Sequence, residues 1–348
     1  MERRRLSGHS SHLCQSQTID VASPEVSKNR IDGGPEEHLS CHHAPLRNLA
    51  MTTADLSRLL LLSAIWGASF LFMRIGAPVL GPSILIFARV GLASLFLLMM
   101  ACYLRKSLSA RRYWKHYLML GLFNSALPFL LFAYAAQTVS ASLLSILNAT
   151  APIWAAAIGT VWFKSRPSPK ALFGMLLGVA GVGLLAGVES ITLPAGGVLA
   201  LVAGLGAAFS YGIATTYTKT AASVEPFANA HGSMWAATIM LIPLALSVPP
   251  VAAMPAPHVV FSVAALGIVC SGVAYLLYFR LIADIGAAPA LTVTFLIPVF
   301  GILWGVLFLG EPVGWHTLVG SLTVLTGTAM VTGFSISTLL PQKVKHAD

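Results

Sequence analysis

Two ionisable side chains, Arg89 and His231, fall within long apolar stretches of this 348-residue chain. A charge in hydrocarbon is costly, so a residue of this kind is by default a candidate for handling a solute or an ion. Arg89 is either such a group or a long side chain whose stem reaches the nearer interface. His231 titrates near neutral pH and is the one candidate for a deep proton carrier, unless it packs as a neutral ring. Both are therefore candidates for ion coupling. Acids offer the contrast. After Asp55 they are Glu189, Glu225, Asp284, Glu311 and Asp348, and all fall at the ends of apolar stretches, in connections or in the tail. A desolvated organic cation would meet no full counter-charge there.

Aromatic and amide groups inside the same stretches suit a neutral or zwitterionic solute. They are Trp66, Asn124, Tyr134, Asn148, Trp154, Tyr211, Trp235, Tyr275, Tyr278 and Trp304. Several must be plain core, and Trp114, Trp162 and Trp315 read as interface anchors. The set expected to line a central cavity is Asn124, Asn148, Tyr211, His231, Trp235, Tyr275 and Thr294. Two prolines accompany it. Asn148, Pro152, Ala155 and Gly159 share a helical face, and Thr294, Pro298, Gly301 and Gly305 repeat that stripe. A proline frees a carbonyl one turn back, so Pro152 and Pro298 are candidate gating or hinge positions.

These residues need elements to hold them. The chain is 56% hydrophobic and 9% charged, whereas a soluble domain carries roughly 25% charged residues. Hydrocarbon is the fitting solvent. A helix crossing it needs about 20 apolar residues. Ten such segments occur, at roughly 57–77, 83–104, 116–136, 139–163, 170–188, 196–217, 227–248, 259–279, 287–309 and 314–334. They lack period-2 alternation, so they read as helices. The net charge of +9 does not point to nucleic acid. Arg105, Lys106, Arg111, Arg112 and Lys115 crowd one connection, and Lys164, Arg166 and Lys170 another. With both termini cytoplasmic, these fall inside and only Arg74 falls outside.

The four cysteines are scattered, without a disulfide framework or a Cys-x-x-Cys site. Residues 1–55 read as a disordered polar tail. Its His38, Cys41, His42 and His43 match no closed zinc spacing, so no metal is expected. Met51 precedes a fresh polar-then-apolar start and reads as an alternative initiator.

Shifted by 146 residues, 121–187 overlays 267–333 without a gap. Ser125 meets Ser271 and Pro152 meets Pro298. The two windows hold 7 and 10 glycines and five pairs coincide, from Gly121/Gly267 to Gly187/Gly333, where chance gives about one. Each unit has five helices, an odd number, so the second enters the membrane from the opposite side. The expectation is an all-α membrane protein of ten helices in two inverted repeats, 56–190 and 195–335, followed by a cytoplasmic tail at 336–348.

The stretches AIWGASFLFMR, PSILIFAR and SGVAYLLYFRLIADIGAAPALTVTFLIPVFGILWGVLFLGEPVGWHTLVGSLTVLTG resemble the EamA-type drug/metabolite transporters, which have two five-helix units. The resemblance runs from about Leu59 to Phe334 and implies a cavity among helices three, four, eight and nine. It also implies a departure. Small four-helix relatives use a carboxylate in the first helix to exchange protons for cationic drugs, and AIWGASF has none. Glu311 in the second unit is matched by Ser165 in the first. It is expected to end a helix at the outer surface or to sit in the first turn of helix ten.

The function expected is secondary transport, outward in direction, of an amino-acid-like or other neutral or zwitterionic metabolite. The alternative is import, or exchange of a class such as nucleotide-sugars. A membrane enzyme is less favoured, since no nucleophile or acid–base set appears, and no Gly-x-x-x-x-Gly-Lys-Ser/Thr motif supports ATP hydrolysis. No cofactor is expected. The expected partners are a small-molecule substrate and the lipid bilayer of the cell membrane, and the protein is expected to be a monomer or homodimer.

Overall fold

The structure, a computed structural model, describes residues 52–189, 196–221, 223–249 and 254–334. The expected tail cluster at His38 to His43, the Met51 start and the C-terminal tail lie outside the described residues. Among the described residues every regular element is helical.

Helix α1 (Thr53–Leu104) starts at a capping box. Asp55 N–H donates to Thr52 Oγ1 at 3.2 Å, and Thr52 N–H donates to Asp55 Oδ2 at 3.1 Å. The cap places Thr53, Ala54 and Asp55 in the helix and shortens the polar tail expected to reach residue 55. The first two expected spans are one 52-residue run, broken at Gly81 with φ 73 and ψ 159 and followed by Pro82. That left-handed backbone suits glycine, and it redirects the chain without a loop.

The next helix begins earlier than expected. Helix α2 (Ala110–Leu120) carries Arg111, Arg112 and Lys115 on its first turns rather than in a connection. It continues through a π-helical segment, Gly121–Ala126, into α3 (Leu127–Ala135). The fourth expected span is divided into α4 (Ala141–Asn148) and α5 (Ala151–Trp162). Then follow α6 (Pro169–Glu189), α7 (Gly197–Thr218) and α8 (Pro226–Leu246). Helix α9 (Pro257–Ala264) runs through a second π-helical segment, Ala265–Val273, into α10 (Ala274–Ile285). The chain closes with α11 (Ala287–Ala290), α12 (Val293–Leu309) and α13 (Trp315–Thr332).

Among the described residues, six helical runs are long and apolar enough to cross a membrane, and Val293–Leu309 is a shorter apolar helix. Helices α8 and α13 have the length but less hydropathy, because they carry polar residues such as His231, Ser233 and Thr328, and the fold buries these side chains. Large apolar side chains including Leu95, Phe173, Val202 and Phe308 remain exposed, as lipid contact allows.

The two repeats are visible in the packing. Helices α6 and α13 cross where Gly174 and Gly181 meet Gly327 and Gly320. A Cβ on Gly174 would stand 2.7 Å from the Gly327 carbonyl oxygen, so the backbones touch. The 146-residue shift exchanges the two helices, taking Gly174 to Gly320 and Gly181 to Gly327. The π-helical segments coincide under the same shift, Gly121 falling on Gly267. Each is packed on a helix of the other repeat. A Cβ on Gly121 would meet Ser233 O at 2.9 Å, and one on Gly267 would meet Arg89 O at 2.9 Å. A shift of 144 residues carries Arg89 to Ser233 and Ser94 to Thr238. The hydroxyls of Ser94 and Thr238 lie 3.1 Å apart, so equivalent residues meet each other on the axis relating the halves.

Ends expected to share a side of the membrane are joined. Arg58 Nη1 reaches Asp284 Oδ2 at 2.7 Å, and Lys106 Nζ reaches Glu225 Oε1 at 3.0 Å. Toward the opposite ends, Arg74 donates to the Ala136 and Gln137 carbonyls at 2.9 and 2.8 Å, capping the end of α3.

Candidate functional site

Arg89 lies on the second half of α1, seven residues past Pro82, and is 4% exposed. Its Nε donates to Ser271 Oγ at 3.0 Å, and its Nη1 faces Met73 Sδ at 3.7 Å. The guanidinium carbon lies 3.7 Å from the centre of the Phe129 ring. Among the described residues no carboxylate pairs with it. Arg89 therefore does not snorkel. It is held across the repeat interface, because Ser271 lies in the second π-helical segment.

A π-helical turn widens the helix by one residue and shifts the side chains after it. Ser271 lies inside the second such segment and Tyr275 just past it, and both face α1, Ser271 at Arg89 and Tyr275 at Trp66. Tyr211 on α7, Cys270 and Tyr275 lie close enough to Arg89 to feel its charge. Asn124, inside the first π-helical segment, faces the Tyr275 hydroxyl. Tyr211 packs on Phe132 at 6.2 Å between ring centres, and Tyr275 on Trp66 at 6.5 Å and Phe279 at 5.8 Å. Asn124, Tyr211 and Tyr275 keep part of their surface open, while Arg89 is buried behind them. The structure thus brings together four expected residues: Arg89, Asn124, Tyr211 and Tyr275.

The remaining expected residues lie elsewhere. His231 is buried on α8, where its Nε2 accepts from Trp235 Nε1 at 2.9 Å, one turn on, and its ring lies 6.0 Å from Phe227. The bond requires an unprotonated Nε2, so proton uptake there would break it. Arg89 and His231, the two candidates for ion coupling, are not brought together: Ser233, not His231, is the counterpart of Arg89, and the two share no partner. Thr294 turns its hydroxyl back to Leu291 O at 2.8 Å. Asn148 ends α4, partly buried. Gly301 packs against Ser145 and Gly305 against Ser142, a register between α4 and α12 that sets Asn148 about level with Pro298.

The two prolines differ in backbone. Pro152 enters α5 just after the break at Ala149 and Thr150. Pro298 lies inside an unbroken α12, and the break in that repeat falls earlier, between α11 and α12. There Gly286 at φ 86 and Pro289 already interrupt the helix, so the chain needs no second break one turn later.

Glu311 meets the first of its two expectations and exceeds it. It follows the left-handed Gly310 at the end of α12, where its N–H donates to the Gly305 carbonyl at 3.1 Å, and it does not join the last helix. Its Oε1 accepts from Ala141 N–H at 2.7 Å, and its Oε2 accepts from Ser142 N–H at 3.0 Å and from Ser142 Oγ at 2.6 Å. The carboxylate caps α4 in the other repeat. The positive helix end and its unpaired N–H groups supply the attraction. The sequence signal was available in part: Ser140-Ala141-Ser142 is a helix start, but nothing local names a partner 170 positions away.

The EamA-like transporter family matches residues 56–187 and 198–333. An uncharacterized transporter of Archaeoglobus fulgidus is 28% identical over 280 residues, covering 77% of this chain and 93% of the relative. The uncharacterized transporter YoaV of Bacillus subtilis is 22% identical over 273 residues, with the same shares covered. A solved crystal structure superposes with a TM-score of 0.57 at 16% identity, covering 80% of this chain and 97% of the other. That likeness supports the fold alone.

Proposed function

From the premise that the chain belongs to the EamA-like transporter family, we propose that it exports a small metabolite by alternating access between its two repeats. The observation that carries this reading is the buried polar set at the repeat interface, where Arg89 bridges from the first repeat to Ser271 of the second beside Asn124, Tyr211 and Tyr275. A site between two inverted units can be opened to either face by rocking one unit against the other. The chain would cross the cell membrane ten times with both termini cytoplasmic, and the first and second repeats would act as the two rocking bodies. The ion pairs at Asp284 and Glu225 would close the inner face. Arg74 and Glu311 would close the outer one. Pro152, at the break between α4 and α5, is the favoured hinge, with Pro298 the more rigid partner. The chain is not read as an enzyme.

The test is flux. Purified protein in liposomes, offered a broad panel of labelled small metabolites, is expected to accelerate counterflow of at least one, with outward movement favoured in sided vesicles. No flux across the panel would overturn the reading. His231→Ala, tested for flux against pH, decides whether that residue couples protons. An active variant with an unchanged pH profile removes it.

A further inference from the structure

We propose that Arg89 is the anchor for a carboxylate on the transported molecule, which makes the substrate a monoanion or a zwitterion bearing one carboxylate. The inference rests on the transporter reading and deepens it. A guanidinium offers five N–H donors in a planar fork that matches a carboxylate. In Arg89 one is taken by Ser271 and one faces only a thioether sulfur. Removing such a charge from water without a partner is strongly unfavourable, and a buried charge is normally paired. No acid among the described residues serves it. The acids that come nearest to a candidate role are engaged elsewhere: Glu311 on α4, Asp284 with Arg58 and Arg280, and Glu225 with Lys106.

A second orphan points to the same place. Ser69 Oγ is buried and has no hydrogen-bond partner. It lies one turn before Met73, which touches Arg89, and it faces Cys270, the neighbour of Ser271. Ser69 has only the soft Cys270 sulfur before it, so Arg89 and Ser69 both border the contact of α1 with the second π-helical segment without an oxygen acceptor besides Ser271. A lone fixed cation balances one negative charge, which favours a carboxylate over a dianionic phosphoester. The aromatic wall of Tyr275, Trp66 and Phe279 gives the apolar body of such a molecule a surface to lie on. At 4% exposure the group is reached only when the helices part, so anion binding belongs to the open state.

The experiment uses the full chain in liposomes and a panel of 2-amino acids and aliphatic and aromatic monocarboxylates, each with its carboxamide. Thermal stabilisation of the purified protein by the same compounds is the second readout. The acids are expected to compete and to stabilise, and their carboxamides to do so at least tenfold more weakly, the scale of a charge-assisted hydrogen bond. Arg89→Gln is expected to lose the preference for acid over amide, and Arg89→Lys to retain part of it. Wild type moving amides as well as acids would overturn the carboxylate anchor while leaving transport intact, and that comparison needs no variant. Acid preference that survives in Arg89→Gln would also overturn it. Absence of any flux would sink the transporter reading and this inference with it.

Discussion

Two interfaces in this protein are copies in backbone and opposites in chemistry. In one, the second half of α1 lies on the Ala265–Val273 segment; in the other, α8 lies on Gly121–Ala126. Both place a glycine of a π-helical segment against a carbonyl of the facing helix, Arg89 O in one and Ser233 O in the other. Yet the first carries Arg89 bonded to Ser271. The second carries Ser233, whose hydroxyl returns to Ala230 O, and leaves Ser125 without a partner. Duplication preserved the packing and let the polar content diverge. On the proposed reading, the shared frame would carry the movement of the halves and the asymmetry would mark where the solute is recognised.

The largest effect separates the two interfaces by activity. Arg89→Leu is expected to lower flux by more than a hundredfold, whereas Ser233→Ala, at its counterpart, is expected to keep flux within about fivefold, since a hydroxyl bonded to its own helix adds at most about 1 kcal/mol. Equal losses would mean that the position matters only for packing. Next comes the shared frame. Gly121→Leu and Gly267→Leu each force a side chain against backbone, and each is expected to destabilise the protein by about 1–3 kcal/mol or more, read as a lower midpoint of thermal unfolding in detergent. One tolerated and the other not would break the equivalence. The caps come third. Glu311→Gln removes a charge that serves three donors on α4 and is expected to cost about 1.5–3 kcal/mol by the same unfolding measurement, while Ser165→Ala in the matching place is expected to change nothing. The last contrast is between the two serines. Ser125→Ala removes a buried unbonded hydroxyl and is expected to be neutral or stabilising by about 1 kcal/mol, while Ser271→Ala strips Arg89 of its oxygen partner and is expected to cost about 1.5–3 kcal/mol.

Much of the frame was legible. The 146-residue shift predicted which glycines would be equivalent, and Gly174, Gly181, Gly320 and Gly327 indeed form one crossing. The helix boundaries were less legible. Gly81 and Pro82 read as a loop, but a single left-handed residue turns the chain within a continuous helical run. Pro152 and Pro298 looked alike, but Gly286 and Pro289 moved the second break. At the site, Arg89, Asn124, Tyr211 and Tyr275 converge, while Asn148, Thr294, His231 and Trp235 lie apart. A type list cannot make that division, because whether a polar side chain faces a neighbour or its own backbone depends on rotation of the helix.

Composition, span length and the repeat determined by themselves that this is a helical membrane protein of two related halves. They suffice because lipid leaves backbone groups no partner but their own helix, and because an odd number of crossings inverts a duplicated unit. Tertiary structure alone decided that Glu311 caps a helix of the other repeat and that Arg89 meets Ser271 rather than His231. Those pairings join residues 170 and 182 positions apart, and only the packing of one helix on another sets such a register.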